Sequence, residues 1–251
     1  DTTLTLAQAA DKFTTLSSAP SLLVGRIGSN GQCTAIAERN ATVARATASV
    51  FKTWVLGGVA RWVVNGPLPS SVSLPLIASV MAPGGTINNE PLGTMFSVRD
   101  LAILMMGISD NTATDLLHNL VGRSLLDQIV ADFGMAQPTL LTPLLGISEQ
   151  FHLFYSFALN ISLSYVNGTV VAQALFLQNS IEPLVPNKGG PFFHASLFTD
   201  GSWRATPYDV CAAFAALRRM PGGSEAFKLV DAALGAGAAQ PNVRGQRSEE
   251  R

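Results

Sequence analysis

The chain has 251 residues, 16 of them basic and 17 acidic, for a net charge of −1. Charged residues make up 13% of it, against roughly 25% in an average soluble protein, and this balance leaves no electrostatic footprint for nucleic acid or an anionic membrane surface. No apolar run reaches the roughly 18 residues of a membrane span, and two cysteines, Cys33 and Cys211, are too few for a disulfide framework.

In chain order, residues 5–17 read as an amphipathic helix, with Leu6, Ala9, Ala10, Phe13 and Leu16 near helical spacing. A hairpin follows: a β-rich stretch over 21–27, an Asn30-Gly31 turn, and alternation over 33–37. Residues 38–47 form a polar connection. A helix then begins near Ser49, with Phe51, Trp54, Val55, Val59 and Trp62 as its buried stripe, and ends at Asn65-Gly66-Pro67. Residues 66–96 are rich in Gly, Pro and Ser and read as irregular. Ser97 is a good N-cap for a helix over 98–107. Two more helices span 111–120 and 124–133, the second closed by Gly134.

Residues 138–146 read as loop, and 148–158 as a helix capped by Ser148. The stretch 160–203 is hard to read beyond a helix near 170–178. Thr206-Pro207 starts a helix running to Arg219, another covers 224–234, and the tail from 240 is polar. One hairpin is convincing, and two strands alone rarely make a stable sheet. Further strands should therefore lie in 66–96 or 160–203, or outside the chain. The two cysteines read as small buried thiols, with pairing as the alternative. The three histidines, His118, His152 and His194, are scattered, and metal-ligand spacings are absent.

The chemistry concentrates in two motifs. Ser49-Val50-Phe51-Lys52 is an S-x-x-K, and 60 residues later stands Ser109-Asp110-Asn111. At the start of a helix, Ser49 and Lys52 share one face a turn apart. A serine hydroxyl needs a base to become a nucleophile. Lys52 can serve only if burial or a neighbouring charge brings its pKa down by about three units from about 10.4. A backbone N–H at the helix start suits a developing oxyanion. Ser109 can pass a proton to a leaving nitrogen, Asn111 can hydrogen-bond a substrate amide, and Asp110 reads as an anchor for its loop. No G-x-S-x-G elbow, Walker loop or dinucleotide fingerprint competes.

With the flanking Ala48 and Val55-Leu56, Val98-Arg99-Asp100-Leu101, Thr112-Ala113, Leu116-Leu117 and Ala205-Thr206-Pro207 with Asp209, these motifs resemble the class A β-lactamase-like serine hydrolases of the penicillin-recognising clan. The resemblance covers about 5–150 and 203–251. It is similar in detail to a divergent branch of actinobacterial exported lipoproteins and a hydrolase of the clavulanate cluster. It implies an α+β fold, an antiparallel sheet flanked by helices, in a single domain over 1–251 with a family-divergent insertion at 150–203. It implies Ser49 as acylated nucleophile, Lys52 as its base, Ser109 as second proton shuttle and Asn111 as substrate-amide ligand, with no metal and no cofactor. The partner is a small β-lactam, ester or peptide-like substrate, with no nucleic acid and no transmembrane segment. The protein is expected to be a monomer exported to the periplasm, the exterior or a lipid anchor.

Two departures qualify the resemblance. The family's Ω-loop carries a Glu that activates the deacylating water, but the corresponding 137–144 has no carboxylate, and Glu149 lies downstream as a weak substitute. An acyl-enzyme is therefore expected to form better than it hydrolyses. The K-[ST]-G motif, the last sheet strands and the second oxyanion N–H are expected beyond Arg251. Lys188-Gly189-Gly190 precedes the Thr206-Pro207 helix and so stands in the wrong chain order. The alternative reading is a penicillin- or peptidoglycan-binding sensor without turnover.

Overall fold

The computed structural model describes residues 3–66, 69–184, 186 and 190–236. Lys188 and Gly189 of the stray glycine motif, and the polar tail, lie outside the described residues. The chain is α+β, with the order α1 (Leu6–Thr14), β1 (Leu22–Ile27), β2 (Cys33–Arg39), β3 (Arg45–Ala46), α2 (Lys52–Asn65), β4 (Ser73–Pro75), β5 (Met95–Ser97), α3 (Val98–Gly107), α4 (Asn111–Val121), α5 (Arg123–Asp132), α6 (Ile147–Tyr155), α7 (Leu159–Val166), α8 (Val170–Phe176), β6 (Arg204–Ala205), α9 (Pro207–Arg218) and α10 (Glu225–Ala236). A 3-10 turn over Ala48–Phe51 leads into α2.

Helix α2 is the axis of the core. Ten of its residues are buried, from Lys52 through Ala60 and again at Val63, so it is apolar nearly all round, as a helix enclosed by other helices must be. Helices α3, α4, α5, α9 and α10 pack around it. Glycines allow α5 its close approach. A Cβ on Gly58 would lie 2.6 Å from Leu126 Cδ2, and one on Gly57 would overlap the Phe133 ring.

The hairpin β1–β2 is antiparallel with an irregularity at Val24/Gly25, and lies against α1 and α9. Two further pairs are very short. β3 pairs with β6, and β4 with β5, both antiparallel. β4–β5 lies almost wholly in 66–96, one of the stretches where further strands were expected, and interrupts backbone otherwise read as irregular; β3 interrupts the polar connection over 38–47. Their two- and three-residue lengths carry no readable alternation. Among the described residues β1 has β2 as its one partner strand.

Three other expectations change. Cys33 and Cys211 are joined in a disulfide, with Cα atoms 6.1 Å apart. The fold brings β2 and α9 together across 178 residues of sequence, which no spacing rule could signal. Helix α6 starts at Ile147 with Gly146, and not Ser148, as its N-cap. Residues 159–181 hold α8, the helix expected near 170–178, and add α7 and a π-helical turn over Leu177–Ile181 that were not read. Helix α1 forms as expected, but Ala10 is its one fully buried residue, while Leu6, Phe13 and Leu16 stay exposed. Among the described residues no helix is long and apolar enough to cross a membrane.

Candidate active site

The four residues singled out by the motifs come together. Thr47 anchors the segment that carries Ser49. Its N–H donates to Trp203 O at 2.9 Å, next to the β3–β6 pair. Phe51 stacks on Trp203, ring centroids 3.9 Å apart, and Trp203 Nε1 donates to Leu145 O at 3.1 Å. On this platform Ser49 is exposed and Lys52, three residues later, is buried. Ala48, just before Ser49, has φ 43°, and Ser109 has φ 60°. Both lie in the left-handed region that non-glycine residues occupy at a cost of about 1–3 kcal/mol, which persists where the surroundings fix it.

The α3–α4 connection meets this platform from the side. Asp110 holds it there. Fully buried, Asp110 caps α4 by accepting from Ala113 N–H at 2.9 Å. Its other oxygen accepts from the N–H groups of Thr86 (2.6 Å) and Ile87 (3.1 Å). The anchoring role assigned to Asp110 from sequence is what the contacts show. Asn111 N–H donates to Gly84 O at 3.0 Å, and its side-chain Nδ2 donates to Pro83 O at 2.7 Å. The 83–87 segment therefore fixes the Asp110 and Asn111 end of the Ser-Asp-Asn turn.

The ammonium of Lys52 meets three acceptors: Ser109 O at 2.7 Å, Ser109 Oγ at 2.8 Å and Asn111 Oδ1 at 2.8 Å. Three acceptors match its three N–H donors. Ser109 Oγ in turn lies 2.7 Å from Ser49 Oγ. The oxygen and nitrogen atoms thus form one chain, Ser49 Oγ, Ser109 Oγ, Lys52 Nζ. Sequence spacing suggests a lysine acting directly on Ser49; the hydrogen bonds route the contact through Ser109. Burial lowers the Lys52 pKa from 10.5 to about 8, with Asp115 and then Asp110 pulling it partly back up.

Sequence reasoning missed Asp115. It lies on α4, one turn beyond Asn111, and is buried. Its two oxygens accept from Ile147 N–H at 2.6 Å and Ser148 N–H at 2.9 Å, the first N–H groups of α6. Burial raises its pKa to about 7. The Asn111-x-x-x-Asp115 spacing is the only sequence signal that could have found it.

Glu149 is committed elsewhere. It pairs with Arg123 and accepts from Gly146 N–H at 2.7 Å, and the Arg123 charge holds its pKa down against burial. His118 is buried with Nε2 2.7 Å from Leu144 O, a core histidine. Between them Arg123, Glu149, Asp115 and His118 fix the loop that ends at Gly146. Among the described residues no group of three or more His, Cys, Asp or Glu side chains is placed to hold a metal ion.

An exposed serine at a helix start, a buried lysine, and a Ser-Asp-Asn turn closing on both are consistent, in this α+β fold, with the penicillin-recognising serine enzyme family. A model of the beta-lactamase enzyme family matches residues 18–174, and the chain belongs to that family. The match continues beyond 150 into the stretch expected to be an insertion. Similar solved structures include a beta-lactamase from Sphaerobacter thermophilus, 33% identical over 39% of this chain and 38% of that one, TM-score 0.38. PBP-A is 23% identical over 52% of this chain and 51% of its own, TM-score 0.42. The D-alanyl-D-alanine carboxypeptidase DacD from Francisella tularensis is 20% identical over 86% of this chain and 40% of its own, TM-score 0.51, a likeness of fold. The chain thus spans between 38% and 51% of the length of these three structures. No curated protein matches it.

Proposed function

We propose that this protein is a serine hydrolase that forms an acyl-enzyme at Ser49 with a β-lactam, amide or ester and hydrolyses it slowly. The observation that carries the reading is the hydrogen-bonded chain from Ser49 Oγ through Ser109 Oγ to Lys52 Nζ. With Lys52 charged, protons point outward along it, Nζ to Ser109 and Ser109 to Ser49. When Lys52 is neutral the hydroxyls reverse: Ser49 donates to Ser109 and Ser109 to Nζ. The Ser49 oxygen then attacks the substrate carbonyl, and its proton moves to Lys52. The C–N or C–O bond breaks as the leaving atom takes a proton back through Ser109. The Ser49 backbone N–H is the donor assigned to the oxyanion.

Slow deacylation is supported by the residues near the site. The 137–144 segment has no carboxylate, and both oxygens of Glu149 are engaged by Arg123 and Gly146. Neither offers a base for a hydrolytic water. The same observation favours a second reading, a sensor that stays acylated. Asn111 is assigned to the substrate amide, with one donor and one acceptor lone pair remaining after its contacts to Pro83 and Lys52. A disulfide forms in oxidising compartments, so Cys33–Cys211 supports an exported location.

Intact-mass spectrometry of the full-length protein with a penicillin and with an activated ester tests this. The expected result is a single adduct of the ring-opened penicillin on Ser49, persisting for minutes and absent in Ser49→Ala. Rapid return to the free mass would show efficient deacylation and overturn the slow step. The absence of any adduct with both reagents would overturn the covalent reading altogether.

A further inference from the structure

The stretch between α6 and α9 closes over a cavity that lies apart from the four motif residues. Its volume is about 450 Å³, within the range of roughly 300–1,000 Å³ usual for small-molecule sites. One wall is the 139–145 segment; the other is the end of α7 with residues 196–204. None of Ser49, Lys52, Ser109 and Asn111 lines it.

Two of its polar side chains are more than nine-tenths buried, Gln150 at 1% exposure and Tyr165 at 7%. Gln150 Nε2 donates to Gly201 O at 3.1 Å. Among the described residues its Oε1 accepts no hydrogen bond, and the Tyr165 hydroxyl has no partner. Burial pushes the Tyr165 pKa further above the usual phenol value, so this hydroxyl keeps its proton. Arg204, half-buried, and Asp200, exposed, line the same cavity. Among the described residues neither side chain enters an ion pair or a hydrogen bond. Buried polar groups are normally paired, and one left unmet is costly. Leu141, Leu145, Leu197 and Trp203 are buried and give the cavity an apolar floor.

The four unmet groups divide evenly. Arg204 and the Tyr165 hydroxyl donate, as a carboxylate requires; Asp200 and Gln150 Oε1 accept, as an ammonium requires. We propose that this cavity binds a free α-amino acid with an apolar side chain. Its carboxylate sits on Arg204 and Tyr165, its ammonium on Asp200 and Gln150, and its side chain on the leucine floor. A simple anion would meet Arg204 but be repelled by Asp200, and a simple cation would meet the reverse. A hydrocarbon would leave all four polar groups unmet.

Trp203 reports on the site, because its Nε1–H donates to Leu145 O in the floor. The chain has 3 tryptophans, so its indole ¹H–¹⁵N resonances can be assigned by replacing each with Phe in turn. Racemic leucine added to the full-length protein should shift the Trp203 resonance saturably, with a dissociation constant of about 1 mM or below, and leave that of Trp54 in place. 4-Methylpentanoate lacks the ammonium and 3-methylbutylamine lacks the carboxylate. Each should bind at least about tenfold more weakly than leucine. Arg204→Gln should weaken leucine about tenfold and leave 3-methylbutylamine unchanged. An unmoved Trp203 resonance at about 20 mM leucine would overturn the proposal, as would equal binding of the three compounds or undiminished leucine binding to a folded Arg204→Gln protein. Should that variant not fold, the comparison of the three compounds on the wild type decides. Leucine binding needs no acylation of Ser49, so the same titration on Ser49→Ala should give the same curve.

Discussion

At the scale of single residues, the relay makes a prediction about pH. On the proposed relay neutral Lys52 is the active form, and burial leaves its pKa lowered to about 8. The rate of adduct formation should rise about tenfold per pH unit below 7 and level off above 9. A flat profile from pH 6 to 9 would exclude Lys52 as the base. Lys52→Arg sharpens the point. Arginine keeps the charge but does not deprotonate in proteins, so it should lose acylation by about 10²–10⁴-fold, as Lys52→Ala should. Ser49, Lys52, Ser109 and Asn111 were legible in the sequence because each motif fixes its own geometry within three residues. The anchoring role of Asp110 was legible for the same reason, since a carboxylate before a helix caps it. Asp115 and the Arg123–Glu149 pair were not legible. Their partners lie 32, 33 and 26 residues away, and only the packing of α4 and α5 against the start of α6 brings them together.

At the scale of elements, the site depends on how closely α5 packs on α2, because α2 carries Lys52 at its first turn. Gly57 and Gly58 are the surface of that contact, against Phe133 and Leu126, and Arg61 pairs with Asp132 farther along. A glycine within a helix ordinarily costs about 1 kcal/mol relative to alanine, so Gly57→Ala would stabilise an isolated α2. In the folded chain the new methyl meets the Phe133 ring, and overpacking of this kind costs about 1–3 kcal/mol. The expected net effect is a loss of stability in denaturant melts, recovered in Gly57→Ala/Phe133→Leu, where the ring is gone. A gain in the single variant would show that α5 can move away freely. The helices α3 and α4 were readable because Ser97 and Asp110 cap them, and α2 and α5 because a run of apolar residues ends at a glycine, Gly66 or Gly134. Of the helices over 159–181, α8 was read near 170–178 but α7 was not, because its outer positions are themselves apolar: Leu159 and Ile161 are exposed, which erases the contrast on which a helical period is recognised. The short β3–β6 and β4–β5 pairs follow from where the chain is brought by the helices, and not from any pattern of their own.

At the scale of the whole molecule, the hairpin β1–β2 poses a stability problem that the disulfide answers. A two-stranded hairpin is marginal alone, and among the described residues β1 has no second partner strand. What ties the hairpin to the helical body is α9 and its cap: Tyr208 hydroxyl to Glu38, Arg219 Nη1 to Gly31 O at 3.2 Å, and Cys211 to Cys33. The first two are exposed or half-buried polar contacts of modest strength. The third closes 178 residues, and cross-linking a loop of that length restricts the unfolded chain by up to about 5 kcal/mol. Cys33→Ser/Cys211→Ser should therefore melt below the wild type under oxidising conditions by up to about 10–20 °C, and the wild type under a reductant should match it. Ser49 should still be acylated at low temperature, because Thr47, Trp203 and the 83–87 segment fix the relay without the hairpin. A double variant as stable as the wild type would place the hairpin's attachment in the polar contacts and in the packing of α9 against β1. A stable variant that no longer acylates would instead make the hairpin part of the machinery around Ser49, a role that none of the hydrogen bonds at the relay requires.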